Sequence, residues 1–206
     1  MIANHIHDAL DQVRTLQEMI LEKRQFMGYS GTARIASGLF ALAGAALLAS
    51  GLVPSTACAH LAGWGIVLAL ALVVNYASIA YWFFFDEEVR QNPRMVKPAV
   101  DAVPALAVAA AFSITLILSR QYDLLPGIWM CMYGLAQVAY RLSLPIGIYW
   151  VGLCYMLCGA CYLLAPGTSF LNPWPMGITF FLGEMAGGLI LLSRRRPQPS
   201  KNREEP

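Results

Sequence analysis

Leu61 to Phe85 reads LAGWGIVLALALVVNYASIAYWFFF, 25 consecutive residues without an Asp, Glu, Lys or Arg. A helix rises about 1.5 Å per residue, so a run of this length covers the roughly 30 Å hydrocarbon core of a bilayer with a turn to spare. In water the same segment would need a large polar shell around it. The chain has no residues for such a shell, being 58% hydrophobic and 13% charged over 206 residues, where a soluble domain carries about a quarter charged residues. The predicted class is an all-α polytopic membrane helix bundle.

Five further apolar stretches flank this one, Ile35 to Val53, Ala99 to Ser119, Leu124 to Leu142, Ile146 to Ala165 and Trp174 to Ser193. Each is close to spanning length, which predicts six transmembrane helices. Pro54, Asn92 and Pro93, Pro145, Pro166 and Gly167, and Asn172 and Pro173 fall between them, where turns and helix starts cost least. Asn172 is placed to cap the last helix and Pro173 to open it. The predicted organisation is an amphipathic N-terminal helix over 1–30, a six-helix transmembrane domain over 31–195 and a disordered tail over 196–206.

Basic residues predict the orientation, because positively charged loops stay cytoplasmic. With six spans, Arg14, Lys23, Arg24 and Arg34, then Arg90, Arg94 and Lys97, then Arg194, Arg195, Arg196, Lys201 and Arg203 all fall on one side, and Arg120 lies opposite. A multi-pass protein of the cell membrane with both termini in the cytoplasm follows. Trp64, Trp82, Trp129, Tyr149, Trp150 and Trp174 lie near predicted helix ends, the position of interfacial anchors.

Ahead of the spans, Ile6, Leu10, Val13, Leu16 and Ile20 recur at steps of four and three between polar residues. That spacing predicts one apolar stripe on a helix. Its polar face carries Asp8, Asp11, Glu18 and Glu22, whereas helices lying on anionic membranes show a basic face. The stripe is therefore a candidate for pairing with a second copy of the chain or for recruiting a cytoplasmic protein partner. A homo-oligomer embedded in the lipid bilayer is expected. The formal net charge of +2 and the lack of a concentrated basic face argue against nucleic acid.

Glu184 is the residue with most to say about purpose. It sits mid-way along the last apolar stretch, where a carboxylate facing lipid would cost a few kcal/mol, so it must turn inward and be paired, hydrated or protonated. Gly183, Gly187 and Gly188 surround it and predict either room for water or close packing against another helix. Asn75 in the second stretch and Gln137, Tyr140 and Arg141 in the fourth are candidate polar neighbours. The first expectation is a small-solute or ion channel or secondary transporter with a hydrated Glu184 and these groups along the path. A dry contact points to a non-catalytic membrane scaffold or regulatory subunit that recruits its partner through the N-terminal helix.

Other chemistry finds little support. Cys154, Cys158 and Cys161 share one helical face and form a weak candidate for a soft metal, but cysteine is more often a small buried hydrophobe. His5 and His7 diverge around a helix, and His60 lies alone near the far end of the second stretch. There is no P-loop, no G-x-S-x-G elbow and no H-E-x-x-H. Without a convergent acid and base pair no enzymatic role is assigned, and no cofactor is expected.

Overall fold

The computed structural model describes residues 12–13, 30–85, 103–139, 141 and 144–194. Six long α-helices make up nearly all of it: α1 (Gly31–Ala49), α2 (Ala57–Phe85), α3 (Val103–Leu118), α4 (Leu125–Ala139), α5 (Ile146–Leu164) and α6 (Trp174–Arg194), with a 3₁₀ turn at Tyr122–Leu124 ahead of α4. No strand occurs among the described residues. Of the N-terminal stripe only Val13 is described, helical and half exposed. Ile6, Leu10, Leu16 and Ile20, Tyr140 and the tail over 196–206 lie outside the described residues.

Local chemistry sets the helix ends. Ser30 Oγ accepts from the Ala33 amide at 3.4 Å and caps α1, satisfying a donor that a helix start leaves without an intrahelical partner. Gly51, with φ of +76°, follows Ser50 and takes the left-handed conformation that ends helices at low cost. α5 ends instead in an extended Ala165, and Gly167, at φ of +77°, turns the loop beyond it. Asn172 Oδ1 accepts from the Trp174 amide at 3.3 Å at the entrance to α6. Arg120, at φ of +57°, is the non-glycine exception and turns the chain between α3 and the 3₁₀ segment.

Four helices are long and apolar enough to cross a membrane: Gly31–Ala49, Ala57–Tyr81, Ile146–Leu164 and Trp174–Ser193. Within the expected stretches Ala99 to Ser119 and Leu124 to Leu142, the described residues form the apolar helices α3 and α4. The apolar surface agrees with a lipid setting. α3 has no buried residue, and α2 turns Ile66, Leu68, Val73 and Tyr76 outward.

The helices pack antiparallel. α1 lies closest to α6, α4 to α5, with α2 flanking α1 and α3 flanking α4. Small residues permit the two tightest contacts. A Cβ on Gly31 would stand 2.5 Å from the Gly188 carbonyl oxygen, and one on Gly188 would stand 2.6 Å from that of Gly31. Gly134 and Gly152 are related the same way across α4 and α5, at 2.5 and 2.8 Å. Each pair lets backbones touch, which is the device expected where no hydrophobic force separates helix from lipid.

For reference below, the proximal end is where α1 begins and α6 finishes, and the distal end carries the loops 50–56, 119–124 and 165–173. A distal core gathers Ala41, Ala45, Leu48, Trp64, Leu125, Met130, Tyr162, Phe170 and Met176. A smaller proximal one holds Ala136, Leu144, Ile148 and Leu191. Trp64 and Trp129 depart from their expected anchoring role, since Trp64 is buried in the distal core and Trp129 Nε1 donates to Ser113 Oγ at 2.8 Å. Trp150 and Trp174 remain exposed.

Candidate functional site: a buried ion pair in a polar layer

Arg34 sits in the first turn of α1, four residues past its serine cap. The antiparallel packing of α1 on α6 sets it beside Glu184, and both side chains are buried, at 3% relative exposure. The guanidinium meets the carboxylate along one edge: Nε to Oε2 at 2.9 Å and Nη2 to Oε1 at 2.8 Å. Two parallel charge-assisted bonds of this kind fix orientation as well as supplying energy. A lone guanidinium or carboxylate here would be uncompensated, and removing one partner of a buried pair typically costs about 3–5 kcal/mol.

Two tyrosines complete the carboxylate's shell. Tyr133 on α4 donates to Oε1 at 2.7 Å. Tyr155 on α5 has its hydroxyl 3.3 Å from Oε1 and 3.2 Å from the Phe180 carbonyl oxygen, so its single proton is shared between them. The two phenol rings meet edge to face at 5.1 Å, and each lies 5.3 Å from the Phe180 ring, which closes the distal side of the group.

Gln137, one turn after Tyr133 on α4, accepts from Arg34 Nη2 at 3.0 Å through its Oε1. The orientation of the amide follows, because the reverse would point an NH₂ at a guanidinium. Gln137 Nε2 is consequently left buried without a hydrogen-bond partner among the described residues. Further along the layer, Asn75 Nδ2 on α2 donates to Ser37 Oγ and to the Ala71 carbonyl, both at 2.8 Å, and Ser37 donates to the Ala33 carbonyl at 3.0 Å. Polar groups from α2, α1, α6, α4 and α5 thus share one cross-section of the bundle.

The glycines around Glu184 perform two different tasks. Gly188 brings the α1 backbone close, as a packing residue should. Gly183 and Gly187 instead make room for side chains. A Cβ on Gly183 would collide with the Tyr155 ring, and one on Gly187 would lie 2.7 Å from Arg34 Cζ. The space predicted beside the acid is filled by the groups that bind it.

Several expected neighbours are elsewhere. Arg141 is exposed and does not join the cluster. Arg34, counted in the sequence among the loop charges that set orientation, belongs to the interior. Sequence reasoning missed Arg34, Tyr133 and Tyr155. The i, i+4 spacing of Tyr133 and Gln137 put both on one face of α4, and that was the available signal. Cys154, Cys158 and Cys161 are all exposed on the outside of α5, and no group of His, Cys, Asp or Glu suited to a metal occurs among the described residues.

At the distal end a second cluster forms around Phe170, which is almost fully buried. Its amide donates to Asp123 Oδ1 at 2.7 Å, and its ring lies 6.0 Å from His60, 6.2 Å from Trp129 and 6.4 Å from Tyr122. The His60 side chain and Tyr162 are buried in this cluster as well.

Comparison with protein-family models, with curated proteins and with solved structures finds no match for this chain.

Proposed function

We propose that the chain is a multi-pass protein of the cell membrane that acts as a non-catalytic scaffold or regulatory subunit. In this reading all six helices cross the bilayer with both termini in the cytoplasm, and the stripe of Ile6, Leu10, Val13, Leu16 and Ile20 recruits a cytoplasmic partner or a second copy of the chain. One observation carries it: the Glu184 carboxylate receives Arg34 through two bonds and a hydroxyl from each of Tyr133 and Tyr155. A carboxylate has about four lone-pair sites. Three of the donors meet Oε1 and one meets Oε2, the charge is answered by Arg34, and the place of the acid between helices is that of a clamp.

The test is a comparison in proteoliposomes of wild type with Glu184→Gln, paired with crosslinking of cells expressing the full chain or a chain lacking residues before Gly28. A scaffold gives no solute flux above empty vesicles in either protein and loses its crosslinked partner on truncation. Flux that depends on Glu184 would overturn it.

A transport reading is kept for one specific reason, the buried Nε2 of Gln137 beside Arg34, unpartnered among the described residues. A donor without an acceptor suits a site that opens and takes a solute, and in that reading Asn75, Gln137 and Glu184 line the path. The same flux measurement separates the two.

A further inference from the structure

The groups around Glu184 are disposed as a receptor is around a ligand. Those that hold the carboxylate reach it from three other helices, Arg34 from α1, Tyr133 from α4 and Tyr155 from α5. Their positions are held independently of the acid. Gln137 braces the guanidinium at Nη2, and the Phe180 carbonyl shares the Tyr155 hydroxyl. Gly183 and Gly187 leave the hollows in α6 against which the Tyr155 ring and the guanidinium rest. Donor capacity also exceeds what Glu184 uses, since the buried Gln137 Nε2 has no partner among the described residues.

We propose that this layer is a carboxylate-binding site which the chain fills with its own Glu184, and that it takes up a free small monocarboxylate when that side chain is shortened. Charge supplies the drive. Without the Glu184 carboxylate, Gln137 Oε1 is the acceptor that Arg34 retains among the described residues of the layer, and a buried cation with one neutral acceptor is strongly unfavourable. Shape supplies the selectivity. Glu184→Ala removes Cγ and the carboxyl group, together the heavy atoms of one acetate, and the Arg34 edge with two phenol hydroxyls matches a planar, bidentate anion. In the wild type a tethered carboxylate is present at high effective concentration and excludes the free one. The inference stands on the geometry of the pair and does not depend on the scaffold reading.

Thermal unfolding of the full-length Glu184→Ala protein in detergent tests it, with sodium formate, acetate, propionate or chloride added at matched ionic strength. The expected result is a saturating rise of a few degrees in Tm, largest for acetate and absent for chloride. No such rise appears in the wild type or in Arg34→Leu/Glu184→Ala, which lacks the cation. An equal rise in chloride, an equal rise in the double variant, or no rise at all overturns the proposal. Should Glu184→Ala be recovered folded only when acetate is present during extraction, the proposal is supported; if it is misfolded with and without acetate, the receptor is not preorganised and the proposal fails. Partner crosslinking through residues 1–30 is untouched by any of these outcomes, so the two readings fail separately.

Discussion

At the proximal end helices converge on a carboxylate, and at the distal end they converge on a benzene ring. Around Glu184 the contacts are directional: an edge-on guanidinium, a hydroxyl at 2.7 Å and a second shared at 3.3 Å. Around Phe170 the amide bond to Asp123 is directional, while the rings of His60, Trp129 and Tyr122 surround the phenyl ring by packing. The difference concerns what each end specifies. Ring packing tolerates rotation and small shifts, because dispersion depends on contact area more than on angle. A bidentate ion pair in a medium without water tolerates neither. The proximal layer therefore sets the register of α1 against α6, α4 and α5, and the distal cap excludes water from the loop end.

The sharpest way to break this contrast is to remove one charge. Arg34→Leu should cost about 3–5 kcal/mol by stranding Glu184, read as loss of unfolding free energy in detergent or bicelles. Arg34→Leu/Glu184→Leu should recover most of that loss, leaving about 1–2 kcal/mol from the abandoned tyrosine and glutamine hydrogen bonds. If the double variant is no better than the single one, the pair is not the unit that the geometry describes.

Phe170→Ala comes next, at about 3 kcal/mol, the cost of a large buried ring and its cavity. No second substitution at His60 or Tyr122 should restore it, since packing has no partner whose removal relieves a stranded charge. Restoration by either would erase the distinction between the two ends. The smallest effect belongs to a turn at the distal end. Arg120→Gly should stabilise by about 0.5–1 kcal/mol, because the strain of a left-handed non-glycine residue exceeds the added freedom of glycine in the unfolded chain. A drop in stability there would mean that the Arg120 side chain has a distal role which its backbone conceals.

The legibility of the two ends differs for the same physical reason. Glu184 was conspicuous in the sequence because hydrocarbon makes any mid-span acid costly. Arg34 was not, because an arginine near a helix start reads equally as a loop charge or a snorkelling side chain. Only the antiparallel seating of α1 on α6, with Gly31 against Gly188, brings it to Glu184. Gln137 was identified as a polar neighbour and lies in the layer, while Arg141 was grouped with it and is exposed. Their four-residue spacing puts both on similar azimuths, and one turn of depth separates interior from surface. Phe170 had no sequence signal, since one aromatic residue in a loop looks like any other until the loop folds back.

The amino-acid order by itself determined that this protein is helical and apolar, and roughly where its helical segments lie, although α1 and α2 start four residues before the apolar runs that announce them. Those properties follow from the length of uncharged runs and the backbone limits of Pro, Gly and Asn, which act within a few residues. Tertiary structure alone decided which cation answers Glu184, and which glycines admit a neighbouring backbone and which admit a side chain. Helical periodicity tells each residue its face; it carries no information about which other helix that face will meet.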